Sequence, residues 1–116
     1  MSYDVEEVRK MLRAIFNENE ATAIAFLFFK EEFSASELES PHSQLDRASF
    51  SRAMSRLKRQ GLIIEREVHK GIGRPKKFFS LKRDKLLELI VEQKKKIERE
   101  KKALEELENI FYERKD

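Results

Sequence analysis

Val5, Val8, Leu12 and Ile15 recur at steps of three and four through "DVEEVRKMLRAIFN", with acids in the first turn and cations later. That spacing predicts a helix over residues 4–17 with a narrow apolar stripe. After "ENE", residues 21–33 are apolar almost all round, with Ala23, Ile24, Phe26, Leu27, Phe28, Phe29 and Phe33. A helix without a polar face belongs at the centre of a core. Ser34 is placed to cap a short helix, "ASELES", and Ser40-Pro41-His42-Ser43 stops it, because proline cannot continue the hydrogen-bond ladder.

Asp46 is placed as the N-cap of a helix over 47–60, "RASFSRAMSRLKRQ", in which Phe50, Ala53, Met54 and Leu57 fall on one face. The opposite face carries Arg47, Ser49, Ser51, Arg52, Ser55, Arg56 and Arg59. Gly61 is positioned to end this helix in a left-handed conformation. "LIIEREV" (62–68) then reads as a strand, and "KKFFSL" (76–81) as a second one beyond the loop "HKGIGRP". Strand, loop and strand make a hairpin. From Arg83 onward there is neither Gly nor Pro, and a helix of about 32 residues would run ~48 Å.

In that last segment Ile90, Ile97, Leu104 and Phe111 recur at intervals of seven, the period of a left-handed coiled coil. The companion seam position is uneven, apolar at Leu86 and Leu107 but polar at Gln93 and Glu100. A continuous parallel zipper is disfavoured by those two polar positions. Apolar clusters at the two ends suit antiparallel pairing, or packing of the first helix's Val5, Val8, Leu12 and Ile15 alongside. A helix this long outruns the core of a small domain, so self-association is the expectation, with Leu86, Ile90, Ile97, Leu104, Leu107 and Phe111 at a dimer interface.

Charge changes the picture when it is divided along the chain. The net charge is only +3, yet residues 1–40 sum to −5, residues 41–83 to +9 and residues 84–116 to −1. A strongly basic centre between acidic flanks is what a local polyanion-binding face requires. The 116 residues suffice for one domain and a modest core, and 41% of them are charged. There is no cysteine, which removes disulfides, a thiol nucleophile and Cys-based metal sites. The longest apolar run, "ATAIAFLFF", is far short of the ~20 residues of a membrane helix, and acids precede it where a secretory signal carries cations. A soluble, intracellular protein is expected.

No catalytic constellation emerges. His42, Ser43 and Asp46 include the residue types of a hydrolase triad, but one short turn cannot place nucleophile, base and orienter independently. His69 has no clustered metal ligands, and "GIG" opens no helix, so neither a metal nor a dinucleotide cofactor is expected.

The order of buried helix, short helix, turn, polar-faced helix, Gly, strand, basic loop and strand resembles the winged helix-turn-helix of MarR-, TrmB- and PadR-type transcriptional regulators, above all their small archaeal members. The resemblance covers roughly residues 20–82. It rests on "SFSRAMSRLKRQGLIIER" (49–66), like the family's polar recognition helix and the Gly-Leu-Ile after it, and on "GRPKKFFSL", like its wing and return strand. The implied fold is mainly α with a two- or three-stranded β-hairpin wing. Residues 1–82 would form the DNA-binding domain and residues 83–116 the long coiled-coil helix that makes a homodimer.

The resemblance implies double-stranded DNA as partner, with helix 47–60 in the major groove and the loop 69–77 at the neighbouring minor groove. Ser49, Ser51 and Arg52 would lie nearest the base edges, where an arginine takes the bidentate geometry of guanine. Arg56, Lys58 and Arg59 would lie toward the backbone. "GRPKK" also resembles the core of an AT-hook, although Ile72 stands where that motif has arginine. Narrow minor grooves attract arginine, which assigns Arg74 to the groove and Lys70, Lys76 and Lys77 to phosphate. Three roles fit: a sequence-specific regulator, an architectural DNA-binding protein, and a winged-helix module for protein contacts. Cationic charge on both helix and wing argues against the third.

Overall fold

Asp4 begins the first helix by accepting a hydrogen bond from the Glu7 backbone N–H at 2.8 Å, and α1 runs Val5–Leu12. The computed structural model describes residues 3–38, 46–69, 71 and 73–114. The expected helix over 4–17 therefore stops early, and residues 13–16 form a turn. The reason is local. Asn17 is extended and caps α2 (Glu18–Phe28): its side chain accepts from the Glu20 N–H at 2.8 Å, while the Glu20 carboxylate accepts from the Asn17 N–H at 3.1 Å. A residue committed to this reciprocal cap cannot also sit inside the preceding helix. Val8 and Leu12 of α1 and Phe16 of the turn are buried, and α1 packs on α2.

Helix α2 is the centre of the core, with Ala21, Ala23, Ile24, Ala25 and Leu27 fully buried. It ends at Phe28, not at Phe33 as the apolar run predicts. Phe29, Lys30 and Glu31 are exposed, and Phe33 returns to the fold as part of a two-residue strand, β1 (Phe33–Ser34). Its partner is Phe79, and its ring meets Phe26 edge-on at 6.4 Å. Strand pairing satisfies the Phe33 backbone while still bringing its ring inward. Ser34 and Glu37 cap the next helix, α3 (Ala35–Leu38), reciprocally: Glu37 N–H donates to Ser34 Oγ and Ser34 N–H to Glu37 Oε2. The expected stop at Ser40–Ser43, with His42, lies outside the described residues.

Helix α4 (Arg47–Arg59) has the expected N-cap, Asp46, and buries Phe50, Ala53, Met54 and Leu57 toward α2 and β2. It ends at Gly61, with φ +73. Leu62 N–H donates to Leu57 O and Gly61 N–H to Lys58 O, both at 3.0 Å, the paired bonds of a Schellman cap. This cap turns the chain into β2 (Ile63–Val68), which pairs antiparallel with β3 (Lys76–Leu81) from Ile63↔Leu81 to Val68↔Lys76. The sheet has three strands in the order β1-β3-β2. Phe79 and Leu81 of the central strand are buried, Phe79 edge-on to Phe50 at 5.9 Å, whereas Lys76 and Lys77 at its outer end are exposed.

The final helix, α5, spans Arg83–Glu113. The chain divides into two compact units, residues 1–86 and 87–116. Leu86 is only 3% exposed, so it belongs to the core of the first unit and not to an exposed seam as the heptad spacing suggests. Arg83 fixes this end of α5 by donating to the Phe28 carbonyl at 2.5 Å, which closes the C-terminus of α2. The protein is thus mainly helical, with a small antiparallel sheet and a long C-terminal helix. Among the described residues no helix is long and apolar enough to cross a membrane.

Candidate nucleic-acid interface

The buried stripe of α4 dictates what the helix presents to solvent. With Phe50, Met54 and Leu57 turned inward, Arg47, Ser51, Arg52, Ser55 and Arg59 are exposed. Ser49 is half-buried and serves the cap: its N–H and hydroxyl donate to the two Asp46 carboxylate oxygens at 2.7 and 3.1 Å. The Ser49 N–H, then its hydroxyl, then the nearby Arg52 charge hold the Asp46 carboxyl below its usual range.

Arg56 is also half-buried. Its Nε lies 3.3 Å from Oε2 of Glu20, a carboxylate with a side chain only 9% exposed. The arginine therefore braces α4 against α2. Lys58 reaches across to β2, where its Nζ lies 2.9 Å from Glu65 Oε2. Arg66, on the same strand, is held in a two-pronged pair by Glu32, at 3.0 and 2.6 Å, and its guanidinium stacks 4.9 Å over the Phe78 ring. That pair lowers the Glu32 pKa and raises that of Arg66. The cations of the central segment are thus partly neutralised, by Glu65 within it and by Glu20 and Glu32 outside it. Arg52, Arg59, Arg74 and Lys76 form no ion pair among the described residues.

The hairpin brings its cations to the same side. Gly71 and Gly73, with φ +69 and +140, adopt conformations that residues with a Cβ rarely take, and allow the chain to reverse ahead of Arg74. Arg74, Lys76 and Lys77 are exposed, and Lys70 lies outside the described residues. Arg47 from the first turn of α4 joins Arg74, Lys76 and Lys77 around one depression of about 600 Å³, which Ser34 and Ser36 also line. A neighbouring depression of about 300 Å³ lies between α4 and the hairpin, with Ser51, Ser55, Lys58, Glu65 and Lys77 on its walls. Lys77 lines both. Segments distant along the chain, the Ser34–Ser36 stretch, α4 and the hairpin, therefore contribute to one surface rich in guanidinium, ammonium and hydroxyl groups, a donor set suited to phosphate oxygens and base acceptors.

Three participants were not legible from the chain alone: Ser34 and Ser36 at the start of α3, and Glu65 among the lysines. For Glu65 the available signal was its being one of only three acids in residues 41–83, beside Asp46 and Glu67. Of the other expected site residues, Ile90, Ile97, Leu104, Leu107 and Phe111 are exposed on α5, at 39% for Ile90 and 72% for Phe111. Neither protein-family models nor curated proteins give a match to this chain.

Proposed function

We propose that this protein is a dimeric double-stranded DNA-binding protein of winged helix-turn-helix type, acting as a sequence-specific transcriptional regulator. The observation that carries the reading is the shared depression in which Arg47 of α4 meets Arg74, Lys76 and Lys77 of the hairpin. A helix in the major groove and a hairpin at the adjacent minor groove need cations on both elements facing one way. Ser51, Arg52 and Ser55, exposed and outside the cap, read base edges. Arg59, Lys76 and Lys77 meet phosphates, which orient the protein without specifying sequence. Arg74 enters the minor groove, where a narrow A·T segment concentrates negative potential.

The heptad stripe of α5 supports a homodimer. Four large apolar side chains exposed at intervals of seven, Ile90, Ile97, Leu104 and Phe111, with Leu107 at the companion position, are the pattern of a seam awaiting a partner. Two-fold pairing would present two α4 helices to half-sites ~34 Å or a multiple of it apart.

The test is a titration of the protein, over a range of salt concentrations, against random duplex DNA and against duplex from its own upstream region. A Ser51→Ala/Arg52→Ala variant is run alongside. Binding to the upstream duplex ~10³-fold tighter than to random DNA, with that ratio lost in the variant, is the expected result. Equal binding to both duplexes with a steep salt slope would replace the regulator by an architectural DNA-binding protein. No binding to either at low salt would overturn both and leave a protein-contact module.

A further inference from the structure

Of the three acids in the basic central segment, Asp46 caps α4 and Glu67 faces His69 across 3.7 Å. Glu65 has neither task. It stands on β2 opposite Phe79, and its two oxygens point to two different lysines: Oε2 to Lys58 of α4 at 2.9 Å, and Oε1 to Lys77 of β3 at 3.9 Å. The carboxylate is the anchored member of the trio. Its side chain is 22% exposed on a strand fixed by ladder hydrogen bonds, while those of Lys58 and Lys77 are 46% and 49% exposed on long flexible stems.

An exposed ion pair of this kind contributes little to folding, so stability does not account for the arrangement. On a face that meets a polyanion, however, a carboxylate has a large consequence. Sequence-independent DNA binding consists almost wholly of phosphate neutralisation by lysine and arginine. An ammonium already facing a carboxylate must surrender that partner before it can take a phosphate oxygen.

We infer that Glu65 is a positioning residue of the DNA-binding face, an internal competitor that restrains Lys58 and Lys77 and thereby lowers sequence-independent affinity for DNA. The inference rests on the DNA-binding reading above. Its mechanism is competition at the lysine Nζ atoms, which distinguishes it from simple repulsion between Glu65 and the duplex.

The experiment measures binding of the full chain to random duplex over a range of salt concentrations, for wild type, Glu65→Gln and Glu65→Ala, each in the native background and in Lys58→Met/Lys77→Met. Circular dichroism checks that each variant is folded. Each additional phosphate neutralised steepens the salt slope by ~0.9 and tightens binding at 0.1 M salt ~8-fold. The expected result is a change of at least that size in Glu65→Gln, reproduced by Glu65→Ala and abolished in the Lys58→Met/Lys77→Met background. Tighter binding that persists without the lysines would show direct repulsion and overturn the inference. Unchanged affinity and slope in both Glu65 variants, with wild type binding normally, would overturn it alone. Absence of wild-type binding at low salt would overturn the DNA-binding reading, and this inference with it.

Discussion

Arg56 Nε donates to Glu20 Oε2 at 3.3 Å, while the other oxygen of the same carboxylate accepts the Asn17 N–H that opens α2. One acid thus caps a helix and ties it to the helix that presents the candidate interface. Removing the arginine leaves a nearly buried carboxylate short of a partner, which costs about 1–2 kcal/mol. Arg56→Ala is therefore expected to lower stability by that amount in urea denaturation. Arg52→Ala, on the exposed face, is expected to leave the denaturation midpoint unchanged and to weaken DNA binding. A reversed pattern would mean that Arg56 is a contact residue and Arg52 a structural one.

The Asp46 cap gives a signed pH dependence. Its carboxyl is held below the ordinary value of 3.8 by the Ser49 N–H and hydroxyl, so the folded state favours the ionised form. The contribution is complete above the unfolded-state value and is lost as pH falls below it, through the lower folded-state value. Thermal unfolding scanned downward from pH 5 should show a smaller loss of Tm in Asp46→Asn than in wild type, because asparagine can still cap without titrating.

Gly61 tests the Schellman cap. A Cβ at this position would meet nothing within 4 Å, so φ +73 alone opposes substitution. Gly61→Ala is expected to cost about 1–2 kcal/mol, and Gly61→Asn less, because asparagine tolerates the left-handed region. Equal stability of all three proteins would show that the turn relaxes to another conformation.

Arg74 should behave as a phosphate or groove cation rather than a structural one. Arg74→Ala is expected to flatten the salt dependence of DNA binding by ~0.9 and to weaken binding at 0.1 M salt ~8-fold, with no change in Tm. An unchanged slope would remove the hairpin from the interface.

The seam on α5 is tested by mass in solution. Ile97→Glu/Leu104→Glu places charges at two positions of the heptad stripe, 59% and 66% exposed in the single chain. Light scattering should report two chains per particle for wild type and one for the variant. Two chains in both would move self-association elsewhere.

What could be read along the chain was what neighbouring residues settle among themselves. Asp46 and Gly61 bracket α4, because an N-cap and a left-handed C′ residue act within one turn of the helix they end. The bounds of β3 and the start of α5 follow similarly from short-range pattern. The Asn17–Glu20 cap is equally local, yet the continuous apolar stripe of residues 5–15 masks it, and the turn before α2 is missed.

Phe33, Leu86, Arg56 and Glu65 needed the tertiary structure. Helix period alone extends α2 through Phe33, but pairing with Phe79 draws that residue into a strand. The heptad spacing groups Leu86 with Ile90, whereas packing buries Leu86 and leaves Ile90 exposed. Basic residues along α4 look alike in sequence, and only the fold sets Arg56 against Glu20 and Lys58 against Glu65, leaving Arg52 and Arg59 exposed. Helix and turn propensities act over a few residues and are written in the chain. Which charge meets which depends on distances that exist only once distant segments have packed.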